Sequence, residues 1–191
     1  MKRVSVTILF LSAIILACNN AAEDSVERAD SINQANIDSP SVNQSVVADE
    51  ETATFLVKAA DGGMTEMQLG ELAVIKAGNA RVKEFGDMMV QGHSAVNAQV
   101  KDLATSRNVV LPDSVSDESR RHVEDLSKKS GAGFDKSYMR EVIRSHESII
   151  DLFEKSMERV KDAEVKTFIN NTLPKVKEHL ESARALQKEL K

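Results

Sequence analysis

The chain has 191 residues, of which 29% are charged and 4% aromatic, with 8 Gly, 3 Pro, no Trp and a formal net charge of −5. An acidic chain with scattered Lys and Arg lacks the clustered positive charge that drives counterion release, so no nucleic-acid partner is expected. Cys18 is the only cysteine, which excludes an internal disulfide, a cysteine-based zinc site and a thiol redox pair.

Met1–Ala17 begins with Lys2 and Arg3 and continues as an apolar run from Val4 to Leu16, broken only by Ser and Thr. That order is the order of an export signal, and the run is too short for a permanent membrane span. Residues 1–17 are therefore read as a signal peptide. The run ends Ile15-Leu16-Ala17-Cys18, which resembles the lipobox of bacterial lipoproteins. The resemblance implies that Cys18 is acylated, becomes the mature N-terminus and anchors the protein to a membrane of the cell envelope. A cleavable signal with an incidental cysteine is the alternative. Asn19 to Ala48 is rich in Asn, Ser, Asp, Glu, Gln and Ala and shows no sustained apolar period. Residues 18–48 are thus expected to be a lipidated cysteine and a disordered tether, with a reach of about 30 Å.

The folded domain is expected over 49–191. A first helix from Asp49 to Ala77 places Phe55, Ala59, Gly62, Glu66, Leu69 and Ala73 on one face, with a break or bend at Gly62-Gly63. Gly78-Asn79 supplies a turn. A second helix from Arg81 to Arg107 carries the stripe Val82, Phe85, Met89, Val96, Val100 and Leu103, and His93 lies within it. A titratable ring on an inward face needs a partner.

Asn108–Gly133 is longer than the usual connection between bundle helices. It holds a short polar helix in SDESRRHVEDLSKK, capped by Ser114 or Ser116 and ended by Gly131-Ala132-Gly133. A crossover of this length makes the second and third long helices parallel, as in ferritin-like bundles. A simple up-down hairpin with a decorated loop is the alternative. The third helix, Phe134–Val160, has the stripe Tyr138, Val142, His146, Ile149, Phe153, Met157 and Val160. The fourth, Ala163–Leu190, has Val165, Ile169, Thr172, Val176, His179, Ala183, Leu186 and Leu190, with a kink expected at Pro174. The expected fold is all-α, a ferritin-like four-helix bundle whose crossover contains a short extra helix.

Glu66, His93, His146 and His179 therefore fall on the inward stripes of four helices. Reflected through the turns, they lie within about one helical turn of a common depth. One Glu and three His at one level suit a single transition metal ion, whether zinc, iron or copper. The other reading is a satisfied polar layer, in which these groups pair with one another or with Tyr138 and Thr172. Val90, Ile143 and Val176 stand where a Glu-x-x-His repeat would need Glu, which argues against di-iron oxidase chemistry. His122, on the polar crossover, is read as solvated. Met88 and Met89 suit copper(I) or act as core filler. Asp87 and Asp102 are expected to face solvent. The chain has no Gly-rich phosphate loop and no nucleophile elbow, so catalysis is not expected.

The run AADGGMTEMQLGELAVIKAGNARVKEFGDMMVQGHSAVN resembles the bacterial family called domain of unknown function 4142, as do Leu111-Pro112, GFDKSYMREVIRSHESIIDLFE and TLPKVKEHLESA. The resemblance covers Phe55 to Leu186 and implies a ferritin-like helical domain of the kind found in secreted or envelope proteins. It sets Glu66, His93, His146 and His179 on characteristic family positions. Gly92 and Ser145 stand where family members usually carry Asp, which weakens the case for carboxylates at those positions orienting the histidines. Two functions are expected from these readings. The first is an envelope lipoprotein acting as a non-catalytic binding or structural module. The second is a metal-binding bundle for storage, sensing or protection. No motif names a protein partner.

Overall fold

The computed structural model describes residues 23–38 and 48–190, and these form six helices and no strand. They are α1 (Ser25–Asp38), α2 (Glu50–Lys76), α3 (Ala80–Ser106), α4 (Asp117–Ser127), α5 (Gly131–Arg159) and α6 (Ala163–Glu189). Most starts are fixed by short polar caps, as helix N-termini require. Asp49 accepts from the Thr52 amide, Asn79 from Arg81, Ser116 from Ser119, and Asp162 from Glu164 and Val165. The predicted signal peptide and Cys18 lie outside the described residues. No described helix is long and apolar enough to cross a membrane.

The four long helices form an all-α bundle with crossover connectivity. The end of α2 meets the start of α5, where Ala77 bridges to Gly131 and Asp135 accepts from the Gly78 and Asn79 amides at 2.9 and 3.0 Å. Arg81 at the start of α3 pairs with Glu189 at the end of α6, and Arg107 just past α3 pairs with Asp162 before α6. Helices α3 and α5 are therefore parallel. The segment 107–131 carries the chain the length of the bundle, with α4 packed beside α2 and α5. The decorated-hairpin alternative is set aside by these contacts.

The apolar interior falls into two halves. One holds Phe55, Leu56, Val100, Phe153, Phe168 and Ile169. The other holds Leu69, Val82, Met89, Phe134, Tyr138 and Val142. Glu66, His93 and His146 are buried between these halves in sequence and in space.

Three expectations need correction. Residues 25–38, read as tether, form α1, which packs on α2. Its attachment is largely polar, which is why an apolar-period search passes over it. Ser25 donates to Asp113 Oδ1 at 2.9 Å. Asn33 accepts from the Val110 amide at 2.7 Å and donates to its carbonyl at 2.8 Å. Only Val26, Ala29 and Ile37 add apolar cover. The rest of that stretch, 19–22 and 39–47, lies outside the described residues.

Next, α2 runs unbroken through Gly62-Gly63. Gly63 marks a close approach, where a Cβ would lie 1.9 Å from Asn97 Oδ1. Finally, Gly131-Ala132-Gly133 opens α5 instead of closing α4, and Gly131 has φ +54°. Helix α6 continues through Pro174.

The α2–α3 hairpin is drawn tight at Gly70 and Gly86. A Cβ on Gly86 would sit 2.7 Å from Ala73 Cβ and 2.8 Å from the Gly70 carbonyl oxygen. Both obstacles are rigid. Gly86→Val is expected to lower unfolding free energy by about 2 kcal/mol despite the better helix propensity of Val, as read by the urea midpoint.

Candidate metal centre

Helix α2 supplies Glu66, α3 His93, α5 His146 and α6 His179. The structure brings all four to the level between the two apolar halves. The ring centroids of the three histidines form a near-equilateral triangle, 5.7 Å for His93–His146, 5.6 Å for His93–His179 and 5.8 Å for His146–His179. One nitrogen from each ring lies within 4.8 Å of the other two. Glu66 and His146 are fully buried, His93 is 4% exposed, and His179 is half-buried.

The two faces of His146 differ. Its Nδ1 is 2.9 Å from the Val142 carbonyl and 3.3 Å from Glu66 Oε1. A carbonyl only accepts, so Nδ1 carries the proton and donates it to Val142, and Nε2 is the nitrogen left open. Glu66 stands behind the ring, against Nδ1. A carboxylate in that place fixes the tautomer and orientation of a ligating histidine. The Val142 carbonyl was not foreseen from residue types, because any residue one turn earlier offers the same group.

Among the described residues, Glu66 Oε1 and Oε2, His93 Nε2, His146 Nε2, His179 Nδ1 and the Tyr138 hydroxyl are buried without a hydrogen-bond partner. Charge follows burial and neighbours. Burial pushes His93 down to about 4, against the pull of Glu66, so its ring is neutral. Burial, helped by His146, also lowers His179. Burial opposes charge on both Glu66 and His146, and each is pulled the other way by its neighbour: Glu66 is lowered and His146 raised. Tyr138 is raised well above its ordinary value by burial and then by the Glu66 charge, so its hydroxyl stays protonated. It stacks on Phe134 and meets Phe85 edge-on. Tyr138→Phe is expected to be neutral or to stabilise the metal-free protein by up to about 1 kcal/mol, since it removes an unpaired buried hydroxyl, and thermal melts check it.

The remaining candidates lie apart from this cluster. His122 is on α4, 3.7 Å from both Glu118 and Glu141. Met89 packs in the apolar half with Tyr138, whereas Met88 is exposed. Asp87 and Asp102 face solvent. One contributor was noticed in the sequence only as a missing Asp. Gly92 lies against the outer edge of His179, where a Cβ would come 3.0 Å from Cε1 and 3.5 Å from Nε2.

A family model described as a domain of unknown function (DUF4142) matches residues 22–186. The chain belongs to this family. The match begins before α1, so this DUF4142 domain includes the helix that composition alone assigned to a tether. No curated protein and no solved structure matches the chain.

Proposed function

We propose that this domain is a non-catalytic binding module whose ligand is one divalent transition metal ion, held by His93, His146 and His179, with Glu66 orienting His146. One observation carries the reading. Nitrogens of three imidazoles converge in one layer, and each ring keeps one buried nitrogen without a hydrogen-bond partner among the described residues. A polar layer built for stability pairs such atoms with one another. Here they face inward unpaired, which is the arrangement a cation requires. Imidazole donors suit zinc, copper, nickel and iron, and a three-histidine set with a carboxylate behind one ring suits zinc in particular. Storage, sensing and protection are the roles such a site serves.

The deciding experiment is metal analysis and Zn2+ calorimetry of the chain from Asn19 to Lys191. The expected result is one ion per chain, lost in a His93→Ala, His146→Ala double variant. Sub-stoichiometric metal that this variant leaves unchanged would remove the reading. We also place the protein in the cell envelope, anchored through an acylated Cys18. The support is the charged-then-apolar leader ending Leu16-Ala17-Cys18. Mass spectrometry of the mature N-terminus should find a lipidated cysteine, and an unmodified terminus retracts the anchor.

A further inference from the structure

We infer that the ion at this centre keeps one coordination position for an exchangeable small anion, which reaches it along the α3–α6 seam over Gly92. The inference rests on the metal reading above and adds a second ligand to it.

The donor count comes first. Glu66 approaches His146 on Nδ1, while the open nitrogen of that ring is Nε2. The carboxylate thus lies behind that ring and outside the group of converging nitrogens. Three nitrogens remain for the ion. A transition ion with three imidazole donors completes its sphere with a fourth ligand from outside the protein. That ligand is water or a small anion.

The path comes second. His93 and His146 are sealed in the core, but His179 is half-buried. Its Nδ1 is buried and faces inward, while its Nε2 and Cε1 edge lies against Gly92. At that place α3 has no side chain. Any Cβ there would press on the ring at 3.0 Å, tighter than ordinary van der Waals contact. With no side chain on α3 there, nothing from that residue blocks a turn of the His179 ring, and we place the entry at this point. On the opposite side, Glu66 repels an anion, so the α3–α6 side is also the one that charge favours.

The test uses the protein loaded with Co2+, whose visible ligand-field bands report the coordination sphere, and sodium azide as the anion. Azide is expected to shift the bands saturably. Gly92→Val is expected to bind Co2+ but to slow azide association by about tenfold or more, because the ring can no longer swing aside. Gly92→Ala, a smaller intrusion, should give an intermediate rate and serves if the valine variant does not fold. Failure of Co2+ to bind overturns the metal reading and this inference together. Stoichiometric Co2+ whose bands ignore saturating azide overturns the inference alone. Azide binding at wild-type rates in both glycine variants overturns the path over Gly92.

Discussion

Zn2+ is expected to raise the unfolding free energy of this bundle by about 2.7 kcal/mol at 100 times its dissociation constant and by about 4.1 kcal/mol at 1,000 times. For a domain of this size the larger figure is a rise of roughly 10 °C in Tm. The gain should vanish in any variant lacking one of the three imidazoles, and scanning calorimetry with and without a chelator measures it. The variants should differ sharply before metal is added. His93 is neutral in the fold, so His93→Gln removes a ligand without stranding a charge. His146 lies against Glu66, its Nδ1 3.3 Å from Oε1, both with side chains at 0% exposure. His146→Ala therefore leaves a buried carboxylate without its neighbour, a loss of about 3–5 kcal/mol in the metal-free protein. Equal metal-free stabilities for the two variants would show that Glu66 does not depend on His146.

The second large effect lies at the end of the bundle where α3 hands over to the crossover. Arg107 is buried, with 5% of its side chain exposed, and it grips Asp162 with two parallel bonds of 2.8 and 2.7 Å. Its remaining contacts include Glu164 at 2.9 Å and the Leu103 carbonyl at 3.2 Å. Asp162 also caps α6 through the Glu164 and Val165 amides. Asp162→Ala removes the cap and leaves a buried guanidinium without its planar partner. The expected loss is about 3–5 kcal/mol. Glu164 is 78% exposed on its side chain and offsets little of it. Arg107→Lys loses the fork but keeps the charge and the α6 cap, and should lose less than Asp162→Ala.

This pair also gives the acid limb of stability a definite sign. The Arg107 guanidinium, with the two α6 amides, holds the Asp162 carboxyl below its ordinary value of 3.8. The unfolded chain therefore takes up its proton at higher pH than the folded one. The contribution of Asp162 is fully present above that unfolded value and is lost as pH falls through the folded one. Urea unfolding from neutral pH down to about 3 should show a loss in the native protein below about 4 that Asp162→Asn lacks.

How much of this was legible in the sequence depends on the kind of force involved. The four long helices follow from apolar stripes such as Val82, Phe85, Met89 and Val100, which are one-dimensional patterns. The crossover follows from counting residues between two such stripes. The convergence of His93, His146 and His179 follows from their places on inward faces. Helix α1 was not legible, because Ser25 and Asn33 act through backbone groups 77 to 89 residues away. Nor were the glycines: Gly70 and Gly86 make sense only once their helices touch. The role of Glu66 was half legible. Its face could be read, but its place behind His146 depends on which imidazole nitrogen the Val142 carbonyl engages.

The division of the interior into two apolar halves bears on how the molecule comes apart. Water-shedding surface is continuous within each half but is interrupted at the level of the imidazoles. Without a cation to knit the four rods together there, cooperativity should fail at that seam. The end near Gly78 and the end near Arg107 would then exchange their amide protons as separate blocks, and loading the ion would merge them into one.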